Sequence, residues 1–333
     1  MASQLLKLDE PKNDPTNPWA DDDFDRREHG ERLARLVRTM PGPFVLALKA
    51  PWGAGKTVFL ERWAHHLEND PNYPVPVVRL DLWENDYLDD PMDAFVVSLS
   101  DRLLKASAKE KNKTKLKALA SAVAETGPKL VPFVARVVAA VSTGGTTELV
   151  ITAADLFKEA GANLLGKSKE HKTSVLDFRE QLKKAREALA KAQTDSTVPR
   201  SPLVFLVDEL DRCRPDFSIR ALERIKHFFN VPGIVFVIAT DGDNLPSAVQ
   251  CLYGPSVEGE RYLRKFFDFE FRLPDPTSEQ VALSFFRKFG LLASFESSGG
   301  HVNFDENRKR WRENKEPSSH HSGDAFCSVT ASK

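Results

Sequence analysis

The sequence predicts an α/β domain built on a five-stranded, mainly parallel β-sheet with a helical insertion between the second and third strands. Three observations predict it. Five short, nearly continuous apolar runs are rich in Val, Ile, Leu and Phe, as parallel strands covered on both faces are. Helical patterns lie between most of them, and strands alternating with helices build a sheet through right-handed crossovers. One long interval, from about Lys105 to Val198, breaks the alternation with Ala- and Lys-rich helical composition.

Residues 1–40 form a charged, proline-containing segment leading into the core. No basic start followed by a long apolar run is present there, so no secretory signal is read. The first strand is "PFVLALKA" (43–50), followed by the helical pattern "VFLERWAHHLEN". The second is "VVRLDL" (77–82), followed by "DPMDAFVVSLSDRLLKA", and residues 41–104 make the first part of the core.

The insertion occupies residues 105–199. Within it, "SVLDFREQLKKAREALAKAQ" places Leu176, Leu182 and Leu189 at broadly helical spacing. The apolar stretch "VPFVARVVAAV" (131–141) contains Arg136 and is far shorter than the ~20 residues of a membrane-spanning helix, so it reads as a buried or interfacial helix. Two readings of the insertion stay open: a helical hairpin packed on the sheet, which is favoured, and a contact for a protein partner or a membrane surface.

The second part of the core, residues 200–292, carries "PLVFLV" (202–207), the helical "SIRALERIKHFFN", "IVFVIAT" (234–240) and "FDFEFRL" (267–273). Residues 293–333 are dominated by charge, Ser and Gly and predict a polar, mobile tail in which "RKRW" reads as a solvated charge run in preference to a contact for nucleic acid or acidic lipid.

The 333 residues are 41% hydrophobic and 29% charged, which is ordinary globular composition. A formal net charge of -1 provides no global basic field that would make nucleic acid an obligatory partner. Cys213, Cys251 and Cys327 are scattered without a paired spacing, which argues against a disulfide frame or a zinc site. A reducing cytoplasm is the simplest setting.

"APWGAGKT" (50–57) lies between the first strand and the following helix, where a phosphate-binding loop must lie. Gly53 and Gly55 let the backbone bend so that successive N–H groups point at phosphate oxygens, and the helix adds its positive end. Gly53, Ala54, Gly55, Lys56, Thr57 and Val58 are the candidate nucleotide contacts. Lys56 has the reach for the β and γ phosphates, and the Thr57 hydroxyl suits a magnesium ion. A strand-to-helix turn with incidental Gly and Lys is the plainer alternative. An independent part of the same machine comes in "PLVFLVDELDRC" (202–213), an apolar strand ending in acid. Asp208 there suits magnesium, and Glu209 suits an attacking water, which it would orient or deprotonate.

"GPFVLALKAPWGAGKT", "VFLVDELDRC", "IVFVIATD" and "RYLRKFFDFEFRLPDP" together resemble the KAP family of P-loop NTPases, and "VVRLDLWENDYLDDPMDAF" is similar to that family's second strand and Trp-containing segment. The resemblance implies an additional-strand NTPase core with the phosphate loop on the first strand and acids on the third. It implies a sensor at Thr240 or Asp241, and makes Arg212, Arg261, Arg264 and Lys265 candidate groups for developing phosphate charge. Arg212 is equally a candidate structural partner of Asp211 or Asp216, Trp52 is expected to pack the loop, and "NPWADDDFDRR" is a candidate adenine-side segment. Three departures are visible. Ala50 replaces the usual first Gly, Glu209 stands where many relatives have Asp, and the insertion lacks the membrane helices many relatives carry. The polar end of the sequence, unlike a packed helical lid, suggests a truncated or minimal form.

These readings combine into a cytoplasmic, magnesium-dependent nucleoside triphosphatase using ATP, with GTP as the competing nucleotide. It would act as a switch or assembly ATPase, with phage defence or signalling as the setting implied by family resemblance. Homo-oligomerisation or a protein partner is expected through the insertion, and peripheral membrane association is compatible with it. The alternative is a nucleotide-binding scaffold that does not hydrolyse. A nucleic-acid motor has little support, because no basic and aromatic strand-binding track is present.

Overall fold

The computed structural model describes residues 16–20, 22–109, 168–193, 201–242 and 244–289. The apolar stretch 131–141 and the tail 293–333 lie outside the described residues. In chain order the elements are α1 (Arg26–Thr39), β1 (Phe44–Lys49), α2 (Lys56–Glu68), β2 (Val77–Asp81), α3 (Pro91–Lys109), α4 (Ser168–Gln193), β3 (Leu203–Asp208), a short 3-10 turn (Leu210–Arg212), α5 (Pro215–Phe228), β4 (Ile234–Thr240), α6 (Asn244–Tyr253), α7 (Gly259–Leu263), β5 (Phe269–Arg272) and α8 (Ser278–Lys288).

All five strands expected from the apolar runs form, and every pairing between them is parallel. Their order is β2-β3-β4-β1-β5, so β4 separates the strand that leads into the phosphate loop from the strand that ends in acid. All seven residues of β4 are buried, whereas β5 alternates half-buried and exposed positions, as an edge strand does.

Alternation along the strands assigns the two faces of the sheet. Leu46, Leu48, Val204, Leu206, Val235 and Val237 pack with the α1 and α2 residues Leu33, Val37, Phe59, Trp63 and Leu67. Phe205, Val207, Phe236 and Ile238 pack on the other face with α3, α4 and α5. The Trp63 indole N–H donates to the Gly30 carbonyl at 2.9 Å and locks α2 to α1. The start of α1 is held by Asp22, whose carboxylate accepts from the Arg26 and Arg27 amides at 2.9 and 2.7 Å.

The described part of the insertion packs on the sheet. Leu182, Ala185 and Leu189 of α4 join the core, while Leu176 is exposed. Arg179 donates to the His227 carbonyl at 2.7 Å. Among the described residues no helix is long and apolar enough to cross a membrane.

Phe229, 1% exposed, joins these layers. Its ring lies 5.2 Å from Phe95 of α3, 5.2 Å from Phe178 of α4, 5.5 Å from Phe205 and 5.1 Å from Phe236. Removing it would open a cavity between rigid elements that cannot all collapse inward. Phe229→Ala is expected to lower unfolding free energy by about 3–5 kcal/mol in a denaturant titration. A loss below about 1 kcal/mol would mean that the helices close over the site.

Candidate nucleotide site

β1, β3 and β4 are parallel neighbours, so their carboxyl ends and the loops that follow open on the same side of the sheet. That is where open α/β sheets place their ligands. The loop after β1 turns through Gly53 and Gly55, with φ of 81° and 83°, and α2 begins immediately afterwards. A Cβ at either glycine would meet nothing within 4 Å, so backbone conformation rather than space requires glycine here. Gly55 caps α2 without a side-chain hydrogen bond. The first N–H groups of a helix have no intrahelical acceptor, and here they belong to the loop and the first turn.

Ala50 takes an ordinary negative φ, since only Asp25 and Glu209 among the described non-glycine residues have positive values. Its N–H donates to the Thr240 carbonyl at 3.2 Å and holds the loop's entry against β4. Lys56 is 8% exposed, and its ammonium donates to the Ala50 carbonyl at 2.8 Å and the Pro51 carbonyl at 3.3 Å. The charge is thus held inside the curve of the loop. On the far side Arg26, itself buried, donates to the carbonyls of Pro274 and Ala54. Arg26 is therefore the point at which "NPWADDDFDRR" touches the loop, whereas Trp19 is buried against Phe59.

Asp208 closes β3 and accepts a hydrogen bond from the Thr57 hydroxyl. The two candidate magnesium ligands from distant parts of the sequence are therefore in contact. Burial holds Asp208 above the ordinary carboxylate range against the pull of the Thr57 and Glu209 hydrogen bonds, with Asp81 and Asp211 adding repulsion. Glu209 follows in the left-handed region, with φ 58° and ψ 23°, and its amide donates to Asp208 Oδ1 at 2.9 Å. Its own carboxyl is pushed up by burial and by Asp208, and Arg212 opposes the shift.

Asp208 supplies a test of these causes. Between the ordinary carboxylate pKa and the raised one, the folded chain binds more protons than the unfolded chain, so stability falls as pH rises through that window. At neutral pH the buried anion is a net strain on the fold. Asp208→Asn is expected to raise the calorimetric midpoint in metal-free buffer at neutral pH. A lowered midpoint would show that the hydrogen bonds to the carboxylate outweigh its burial.

Arg212 pairs with Glu209, which corrects both expected partners. Asp216 instead pairs with Arg220 at 2.7 Å, and Asp211 accepts from the Asp241 amide at 3.1 Å. A three-residue offset within the 3-10 turn brings Arg212 back beneath Glu209, a short-range geometry that a strand-then-loop reading does not contain. Trp52 also departs from expectation. It is 75% exposed, so it does not pack the loop from within, and the Arg212 guanidinium lies over its ring at 5.3 Å.

Thr240 is 2% exposed and donates its hydroxyl to the Asp241 carbonyl at 2.9 Å. Arg264 shares a cleft with Thr240, Asp241, Lys49 and Glu260. Arg261 is 81% exposed at its side chain and lies 3.9 Å from Glu258, and the Lys265 ammonium lies 3.5 Å over the Tyr262 ring. The structure therefore places Arg264 in one cleft with Thr240 and Asp241 and leaves Arg261 in solvent.

Two acids were missed as members of this cluster. Asp81 ends β2 in register with Asp208, and its Oδ1 accepts from the Trp83 and Glu84 amides at 2.9 and 3.1 Å. An acid ending the strand "VVRLDL" was the available signal. Asp211 ties the turn after β3 to the end of β4, a link only the sheet order reveals.

Sheet order, strand-loop-helix turn and acid-ended third strand together define a P-loop NTPase domain. The model of the KAP family P-loop domain matches residues 26–318, and the chain belongs to that family. Nucleotide binding is the family's common property. No curated protein matches the chain.

Proposed function

We propose that the chain is a magnesium-dependent nucleoside triphosphatase that uses ATP and works as a nucleotide-controlled switch or assembly ATPase. The observation that carries this reading is the contact between Thr57, on the helix that follows the phosphate loop, and Asp208, at the end of the acid strand, with Glu209 immediately beside it. The residues present suit magnesium. A hydroxyl and one carboxylate in a crowded, partly buried acid cluster supply the hard oxygens the ion prefers, and phosphate and water complete such a shell. Thr57 and Asp208 would hold it, and when bound it would neutralise charge on the β- and γ-phosphate oxygens.

The chain's own groups do the remainder. The amides at the start of α2 bind phosphate oxygens, and Lys56 adds a fixed positive charge from within the loop. Glu209 orients water for in-line attack on the γ phosphorus and takes up its proton.

Phosphate release from ATP with and without magnesium, with binding followed in parallel, tests the reading. Magnesium-dependent release supports it. Binding without release at any protein concentration would replace it with the scaffold reading, and no binding would remove both. Competition between ATP and GTP decides the base.

A further inference from the structure

The loop after β2 is held by arginines from the segment after β3. Arg214 donates to Asp86 Oδ1 at 3.1 Å, Arg220 to the Asp89 carbonyl at 2.7 Å, and Arg224 pairs with Asp90 at 2.6 Å. Trp83 stands at the start of this stapled loop and is 53% exposed. Arg212, from the same segment, makes different contacts. Its guanidinium pairs with the Glu209 carboxylate and lies 5.5 Å from the Trp83 ring and 5.3 Å from the Trp52 ring. One ring belongs to an anchored wall and the other to the phosphate loop.

Large indoles left this open to solvent are uncommon, and a cation over the ring face is a favourable use of them. A planar guanidinium suits the position, because it can stack and still direct N–H groups at a carboxylate. The carboxylate it meets has a constrained backbone, since Glu209 sits in the left-handed region with its amide fixed on Asp208. With the backbone held, the side-chain direction is the remaining freedom, and Arg212 is the group that contacts it.

We propose that Arg212 is the positioning residue for Glu209: its ion pair sets where the carboxylate points, and its seat over Trp83 and Trp52 makes that aim respond to the phosphate loop. This rests on the hydrolytic reading above. Arg212 acts through Glu209 and carries no separate role as a phosphate ligand.

The test compares native protein with Arg212→Gln, Arg212→Lys and Trp52→Leu in steady-state ATP hydrolysis at one neutral pH. A carbon-13 NMR spectrum of the side-chain carboxyls at that pH runs alongside it, with Glu209 assigned by its loss in Glu209→Gln. Arg212→Gln is expected to lower kcat about tenfold with KM within about twofold. Arg212→Lys is expected to recover part of kcat, because the charge returns while the planar fork does not. Trp52→Leu is expected to lower kcat with KM within about twofold.

In the NMR arm, the Glu209 carboxyl signal should shift in Arg212→Gln, because the paired guanidinium is gone. An unmoved Glu209 signal, or a kcat unchanged in Arg212→Gln, would overturn the proposal. So would a raised KM at unchanged kcat, which would make Arg212 a phosphate ligand. If the native chain binds ATP without hydrolysing it, the hydrolytic reading fails, and the NMR arm still decides whether Arg212 governs Glu209.

Discussion

Lys56→Ala is expected to weaken ATP binding by about 100-fold and to remove turnover at ordinary nucleotide concentrations. The lost charge-assisted contacts to phosphate are worth about 1.5–3 kcal/mol each. The local geometry adds a second loss. Lys56 is 8% exposed and its ammonium ties the Ala50 and Pro51 carbonyls together, so truncation also removes this donor from the Ala50 carbonyl and loosens the entry to the loop, while the Pro51 carbonyl keeps the Ala54 amide at 3.2 Å. Isothermal titration with ATP and magnesium measures the effect, and circular dichroism establishes that the variant folds. A dissociation constant within threefold of native would reduce "APWGAGKT" to a strand-to-helix turn.

Glu209→Gln is expected to separate binding from chemistry. The amide is close to the carboxylate in shape, so the turn after β3 is retained, but it cannot accept the water's proton. Loss of a positioned general base lowers kcat by about 10²–10⁴-fold, while the ATP dissociation constant should stay within about threefold. Binding is expected to persist because Lys56 and the first-turn amides belong to a different segment. Rapid-quench measurement of a single turnover reads the chemical step directly. A variant that hydrolyses ATP at the native rate would move the base elsewhere, with Asp81 the next acid in the cluster.

The strands were legible because burial on both faces leaves little room for polar residues, and near-continuous Val, Ile, Leu and Phe record that condition directly. The phosphate loop was legible for a related reason, since Gly53 and Gly55 take positive φ that other residues resist. Asp208 and Glu209 were visible as acids ending an apolar strand. The remaining parts depend on distances across the chain. Asp81 joins the cluster because β2 pairs with β3 in a register that sets it beside Asp208. Asp211 reaches the amide of Asp241 because β4 lies next to β3.

Arg212 shows the same division at shorter range. Its presence after "DELD" is plain, yet its partner follows from a 3-10 turn that brings it to Glu209, while Asp216 pairs with Arg220 and Asp211 with the end of β4. The exposure of Trp52 was hidden as well, because hydrophobicity favours burial while a neighbouring guanidinium can hold the ring at the surface. By itself the sequence determined the strands, the turn that requires glycine and the types of group available for chemistry, because these are set by each residue's own solvation and backbone preferences. Tertiary structure alone decided which acids share a site, which carboxylate an arginine pairs with and which indoles face solvent, because these follow from how strand order, register and turn geometry bring side chains together.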